Sequence, residues 1–418
     1  MVTTKTSSVE YRLTCEAFVV PRKGSFILYA PLKGVVAKLN PAAVILLNRI
    51  RSGEKFALSG DQKNFLENLV RCDVVNGSPD PRLDVEEGKP FVPTHTTLFL
   101  TNACNLRCVY CYANGGSALH PKVIPSRAAR AAIDRVSENA AAKGMTAFSV
   151  GLHGAGEPTV AWDRYQEVAT YADGRAAELG LQASICTATN GVMPEARARW
   201  VVEHTDAATV SVDGMAEVHD VQRPTAGGGP SFQAVERTMR VFDELKFSYA
   251  IRATITRLNV TRMAAMVEYF DDNFAASDLQ FDPLLYAGRC LHTGWEPAEE
   301  EEFITEFNKA YDVARSRGRI LGFSSVSFSG LKSYFCCACS DGFAVTHDGH
   351  VTACFEAFAP EQPFADRFVY GRFDDATGTF DLDVGKLGAL RKRHVYNLDY
   401  CRDCFCKYMC CGDCPMHV

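Results

Sequence analysis

The spacing of apolar residues changes along the chain, and each change marks a different kind of element. Near the amino end, residues 17–20, 25–30 and 34–39 are short β-prone runs. Pro21-Arg-Lys-Gly24 separates the first two and reads as a hairpin turn. Asn40-Pro41 then sets an N-cap before a proline at the first helical position, and 42–50 and 61–69 carry apolar residues at helical spacing. Residues 78–93 are charged and broken by prolines, which predicts a linker. From 96 onward strands and helices alternate. Strands are predicted at 97–101, 147–153, 183–189, 208–213, 250–256 and 279–284, and helices at 126–143, 163–179, 195–204, 232–245 and 263–274. Such alternation means parallel pairing through right-handed crossovers, an α/β fold. A further helix opens on the acidic run 299–302, well placed against the positive end of the helix dipole, and reaches about 317.

Composition changes this picture only in one respect. The chain has 418 residues, enough for two or three domains, with 47% hydrophobic and 22% charged residues. A net charge of −6 gives no basic stripe for nucleic acid, and no apolar run reaches the length of a membrane span. The amino end lacks a signal-peptide pattern, so a cytoplasmic location is expected. The outlier is cysteine, at 17. An odd count without an export signal argues against a disulfide framework. Cys15, Cys72, Cys186 and Cys290 stand alone and are expected to be small buried hydrophobes.

The other cysteines are grouped. Cys104, Cys108 and Cys111 lie at C-x3-C-x2-C spacing just after the first barrel-type strand. Thiolates are the ligands of iron–sulfur clusters, and three in one short loop can wrap a face of a four-iron cluster and leave one iron open. An open iron suits a chelating cofactor. Zinc is the alternative, though it wants a fourth ligand and usually paired knuckles. A second group holds Cys336, Cys337, Cys339 and Cys354, with an Asp348-Gly349 turn that predicts a hairpin folding Cys354 back beside Cys339. A third holds Cys401, Cys404, Cys406, Cys410, Cys411 and Cys414, whose C-x2-C knuckle also suits zinc.

The first spacing, with Tyr110 before its third cysteine, resembles the signature of radical S-adenosylmethionine (radical SAM) enzymes. That resemblance implies a partial (β/α)6 barrel, a [4Fe–4S] cluster on Cys104, Cys108 and Cys111, and SAM on the open iron. Motifs at later strand exits extend it. Gly154-Ala155-Gly156-Glu157-Pro158 is similar to the family's GGEP motif, whose backbone and Glu bind the SAM amino group; glycines permit close approach and a carboxylate pairs with an ammonium. Asn190 matches a ribose-contacting position, and Ser211 a place near the SAM carboxylate or ribose. Asp213 and Arg223 become cleft residues, the alternatives being a turn and a surface ion pair. Arg252 sits inside an apolar run and must be paired if buried, with the SAM carboxylate or a structural Asp.

The later cysteines resemble the SPASM extension, which implies two auxiliary [4Fe–4S] clusters. The first would take Cys339, Cys354 and Cys414, with Cys336 or Cys337. The second would take Cys401, Cys404 and Cys410. The family pattern has one further cysteine downstream, which this chain lacks, so Cys406, Cys411, His417 or an open iron is left for the fourth place. The amino-terminal run resembles the PqqD-like peptide-recognition domain, which adds a leader-peptide strand to a sheet edge; a structural extension of the barrel is the alternative. The resulting expectation is residues 1–90 for peptide recognition with linker, 91–320 for the barrel and 321–418 for the auxiliary clusters. The implied activity is a peptide maturase that forms a thioether or carbon–carbon crosslink on a precursor peptide with a leader, reduced by a flavodoxin or ferredoxin, with no nucleic acid or membrane partner. The alternatives are a sulfatase-maturating enzyme, disfavoured because Phe355 stands where those enzymes have an Asp, and a small-molecule SPASM enzyme.

Overall fold

The elements fall where the apolar period places them, and chain contacts then sort them into two units. The structure, a computed structural model, describes residues 10–326 and 330–416. One unit is built from the described parts of 1–85, 327–335 and 394–413, the other from those of 86–326, 336–393 and 414–418. The carboxy-terminal region expected as a single domain is therefore divided. Its first cysteine group and Cys414 fold with the barrel strands, and Cys401–Cys410 with the amino-terminal sheet. His417 lies outside the described residues.

In the first unit, β1 (Phe18–Arg22), β2 (Ser25–Ala30) and β3 (Val35–Leu39) form an antiparallel sheet in the order β1-β2-β3. Arg22 opposes Ser25, so the hairpin loop is Lys23-Gly24, and Gly24 takes the positive φ of 67° that the turn requires. The Asn40 side chain accepts from the Ala43 N–H at 2.8 Å to start α1 (Pro41–Arg51). A reciprocal Ser59–Gln62 capping box starts α2 (Gly60–Arg71). Leu28, Leu39, Leu46, Leu47, Leu66 and Leu69 close a small core beneath the sheet.

In the second unit, β4 (His95–Phe99), β5 (Ala147–His153), β6 (Gln182–Thr189), β7 (Ala207–Ser211), β8 (Tyr249–Ile255) and β9 (Asp278–Pro283) pair in parallel and in sequence order. The crossovers carry α3 (Ser126–Ala142), α4 (Trp162–Leu179), α5 (Glu195–His204), α6 (Ala216–Gln222), α7 (Phe232–Glu244) and α8 (Met263–Asn273). All six predicted strands and five predicted helices are present; α6 was not foreseen. Each strand alternates. On β8, Ile251 and Ala253 are buried under the helices, whereas Arg252 faces the opposite side. The parallel series continues on one edge with β10 (Ile320–Gly322). On the other edge, β4 pairs in parallel with β11 (Ala344–Val345), which leads antiparallel into β12 (His350–Thr352), β13 (Val369–Asp374) and β14 (Thr379–Leu382). The predicted hairpin around Gly349 is thus part of the barrel's own open sheet.

Of the solitary cysteines, Cys290 is buried, but Cys15, Cys72 and Cys186 are exposed. For Cys186 the reason is its side of the strand: its neighbours Ile185 and Thr187 on β6 take the helix-covered face.

Candidate active site

The loop after β4 is held from several directions. The Arg107 and Val109 N–H groups donate to the carbonyls of Pro224 (2.7 Å) and Gln222 (2.9 Å), just after α6 and at its end. Arg289, on the segment after β9, donates to the carbonyls of Cys108 (2.7 Å) and Gly115 (2.9 Å). Gly288 beside it has φ 63°, and a Cβ there would stand 2.3 Å from the Tyr112 carbonyl oxygen. The Arg289 clamp escaped the sequence reading because it is 178 residues from Cys111 in a segment without a motif (289 − 111).

Within this loop, Leu106 N–H and Asn190 Nδ2 donate to Cys104 Sγ at 3.5 and 3.7 Å, and Gly115 N–H donates to Cys111 Sγ at 3.2 Å. Burial pushes the Cys104 thiol up to about 11 and the Cys108 thiol up to about 12. Donors aimed at sulfur favour the thiolate over the thiol, which is the state iron requires. Among the described residues no three His, Cys, Asp or Glu side chains converge as ligands of one metal ion. Zinc gathers its donors around a point, whereas a cubane offers each thiolate its own iron. A donor set of three free thiols with N–H groups aimed at two of them fits a cluster.

Gly154-Ala155-Gly156-Glu157-Pro158 packs directly on this loop. Glu157 N–H donates to the Ala103 carbonyl at 2.8 Å. A Cβ on Gly156 would stand 2.1 Å from that same oxygen, and one on Gly154, at φ 136°, 2.3 Å from the Phe99 ring. The close approach these glycines permit is, in this structure, to the protein's own cysteine loop. Ala155 and Pro158 are buried. Glu157 is buried too, and its carboxylate accepts from Thr159 Oγ1 (2.8 Å), Thr159 N (3.2 Å), Thr189 Oγ1 (2.8 Å) and Asn190 N (2.7 Å). Burial raises its proton affinity and these donors pull it back. Glu157 therefore ties the β5 exit to the β6 exit. Asn190 also donates to Asn105 Oδ1 at 2.8 Å, placing its side chain on the cysteine loop.

At the β7 exit, Asp213 is the hub of a buried network. Arg223 grips it with two nitrogens at 2.9 and 3.1 Å, Gln222 donates at 2.8 Å and the Thr254 N–H at 2.9 Å. Tyr110 donates its hydroxyl to the same carboxylate. So Asp213 and Arg223 are neither a plain turn nor a surface pair, and Tyr110 anchors the cysteine loop to β7. Burial alone would raise the Asp213 carboxyl, but the Arg223 charge together with the hydrogen bonds from Arg223 and Tyr110 holds it below its ordinary range.

Arg252 is 44% exposed and pairs with Asp282 on the adjacent β9 at 2.6 Å, the structural Asp foreseen as one alternative. Ser211 opposes Arg252 in the β7–β8 register. His153, at the β5 exit, lies 5.0 Å from the Phe355 ring, which meets Phe99 edge-on at 5.6 Å. Burial and the Arg252 charge push His153 down to about 4, and its Nδ1 has no partner among the described residues. Phe99, Ala155, Ala344 and Phe358 form an apolar patch with Tyr112 and Phe355 packed on it.

The second cysteine group gathers in the same unit. Cys336 and Cys339 lie within electrostatic reach of Cys414 and of each other, and Cys354 within reach of Cys336. Burial pushes Cys336, Cys339 and Cys354 up to about 12. In the other unit, Cys401, Cys404, Cys406 and Cys410 group likewise. All the cysteines are free thiols. No helix among the described residues is long and apolar enough to cross a membrane.

Comparison with known proteins adds to this geometry. The radical SAM superfamily profile matches residues 98–269. The mycofactocin maturase MftC of Mycolicibacterium smegmatis is 30% identical over 269 residues, 60% of this chain and 60% of its own length. The serine-type anaerobic sulfatase-maturating enzyme of Klebsiella aerogenes is 23% identical over 335 residues, 76% of this chain and 78% of its own. Streptococcus suis SuiB, solved bound to the precursor peptide SuiA, aligns over 97% of this chain and 96% of its own with a TM-score of 0.55 and 14% identity, a likeness of fold.

Proposed function

This chain carries a radical SAM domain over residues 98–269 and is an enzyme of that kind, and on that premise we propose that it matures a ribosomally made precursor peptide by forming a thioether or carbon–carbon crosslink. The observation that carries this reading is the amino-terminal sheet. Among the described residues β3 pairs only with β2. β3 and the helix after it present Val36 and Ile45 to solvent at 69% and 62% exposure. An unpaired edge next to apolar side chains can take an extended leader peptide as an added strand.

A [4Fe–4S] cluster on Cys104, Cys108 and Cys111, with SAM, would supply a 5′-deoxyadenosyl radical for hydrogen abstraction. Leu106 and Asn190 donate to Cys104 Sγ and Gly115 to Cys111 Sγ, which would tune a cluster held there. Arg289 and Tyr110 fix the loop. Gly154, Gly156, Glu157 and Asn190 set the backbone beside it, and Ser211 and Arg252 line the strand exits where SAM and substrate would lie. The Phe99, Phe355 and Phe358 patch excludes water beside that space. Cys336, Cys339, Cys354 and Cys414 would hold one auxiliary cluster and Cys401, Cys404 and Cys410 would contribute to another, and such clusters would supply one-electron transfer. A flavodoxin or ferredoxin is the expected reductant.

The test separates recognition from chemistry. Val36→Asp and Ile45→Asp should weaken precursor binding, read by fluorescence anisotropy, by tenfold or more while SAM cleavage persists. Equal turnover of a leaderless peptide would remove the basis of this reading.

The sulfatase-maturating alternative draws on the alignment across 76% of the chain. Against it, the position after Cys354 is Phe355, tilted against His153 and edge-on to Phe99, and the nearest carboxylate in sequence, Glu356, stands one place later. A sulfatase-derived peptide left unmodified under turnover conditions disposes of it.

A further inference from the structure

We propose that Cys406 is the fourth ligand of the carboxy-terminal cluster, so that Cys401, Cys404, Cys406 and Cys410 close it from a single stretch of chain. This rests on the auxiliary-cluster reading above and goes beyond it, since a complete thiolate set leaves no iron open to a substrate sulfur.

The backbone brings the four thiols together through successive tight turns. Cys404 N–H donates to the Cys401 carbonyl at 3.2 Å, and Lys407 N–H to the Cys404 carbonyl at 3.2 Å. Cys406 is the N-cap of the one-turn helix Lys407–Cys410, and Cys410 N–H donates back to the Cys406 carbonyl at 2.8 Å. Residues four apart on a helical turn share a face with Cβ atoms about 5–6 Å apart. Cys406 lies within electrostatic reach of both Cys404 and Cys410, and Cys401 within reach of the same two.

The competing cysteine, Cys411, also lies within electrostatic reach of Cys401, Cys406 and Cys410, but its thiol is engaged by other groups. Cys411 is the left-handed C-cap of that helix at φ 55°. Its thiol donates to the Lys332 carbonyl at 3.3 Å, and its side chain is buried against Val395 and Tyr408. Cys414 groups with Cys336 and Cys339 in the other unit. Cys406 is thus the thiol that the fold leaves for the fourth iron. A cluster closed in this way relays electrons. It neither binds nor activates a substrate thiolate, because each iron already has its protein ligand.

The experiment compares iron and sulfide content and EPR of the anaerobically reconstituted full chain, wild type beside Cys406→Ala, Cys411→Ala and Cys404→Ala. Cys406→Ala and Cys404→Ala should each lose about four irons or develop a three-iron EPR signal, whereas Cys411→Ala should match wild type. Unchanged iron and EPR in Cys406→Ala, beside loss in Cys404→Ala, overturns the proposal and leaves the auxiliary cluster standing. No change in either variant overturns the auxiliary-cluster reading itself. A second measurement on wild type guards against misfolding of the variants. Alkylation of the holoprotein should spare Cys406 while labelling the exposed Cys15 and Cys72, and chelation of iron should make Cys406 reactive. Labelling of Cys406 at the rate of Cys15 before chelation would also overturn it.

Discussion

Gly156 and Gly174 have opposite meanings although both are glycines in the radical SAM domain. A Cβ at Gly156 would stand 2.1 Å from the Ala103 carbonyl oxygen, while one at Gly174, within α4, meets nothing within 4 Å. Gly156→Ala should therefore push the 154–158 segment off the cysteine loop and abolish SAM cleavage. Gly174→Ala should raise stability by about 0.5–1 kcal/mol through helix propensity, read as a higher Tm with unchanged cleavage. Asp213 presents a different case, since it carries the charge that balances a buried Arg223. Asp213→Asn leaves that guanidinium without a counter-ion and should cost about 3–5 kcal/mol in denaturant unfolding. His219, wholly buried, accepts from the Asp213 N–H at 3.3 Å and lies 3.1 Å from Ser231 Oγ. Burial pushes it down to about 4. The unfolded chain takes up its proton near 6.5, so below that pH the unfolded state is favoured. Stability should fall from pH 6.5 to about 4 by up to roughly 3 kcal/mol and then level off for this group. An unchanged acid slope in His219→Gln would show that this residue does not govern it.

At the scale of elements, the main finding is that the cysteine-bearing hairpin and the first barrel strand belong to one sheet. Thr97 N–H donates to the Phe343 carbonyl at 3.0 Å, and β11 continues in parallel beside β4. Removing the chain after residue 335 would strip that strand and leave β4 as a bare edge. Unpaired, apolar strand edges are templates for aggregation. A chain ending at 335 should elute as aggregate in size-exclusion chromatography even though it retains every motif from Cys104 to Arg252. The six barrel strands and five of their helices were legible because alternation and helical spacing are local properties. The β4–β11 pairing was not, since it joins residues almost 250 apart and neither strand's own pattern names its partner.

For the molecule as a whole, the notable feature is a unit assembled from both ends of the chain. Lys407 pairs with Glu16 at 2.5 Å, and Tyr29 donates to the Met409 sulfur at 3.3 Å. Lys407 is only 6% exposed at its side chain and Glu16 is largely covered. Lys407→Met strands a shielded carboxylate, and hydrogen exchange should accelerate over residues 13–18 while the barrel strands keep their protection. Uniform acceleration in both units would mean that they do not unfold separately.

What the sequence determined by itself was local chemistry and period. The three-cysteine loop, the glycine-rich turn after β5, the Asn-Pro cap and the alternation of strand with helix all act within a few residues, so their spacing already states them. Tertiary structure alone decided the partners. It set Glu157 against the backbone of Asn190 rather than toward open space, buried Asp213 with Arg223 and Tyr110, and put Arg289 on the carbonyls of the cysteine loop. It turned Cys186 outward while Cys290 went in, and set the Cys411 thiol on the Lys332 carbonyl. These choices follow from which face of an element is covered and from contacts between distant segments, and neither is written in the residues nearby.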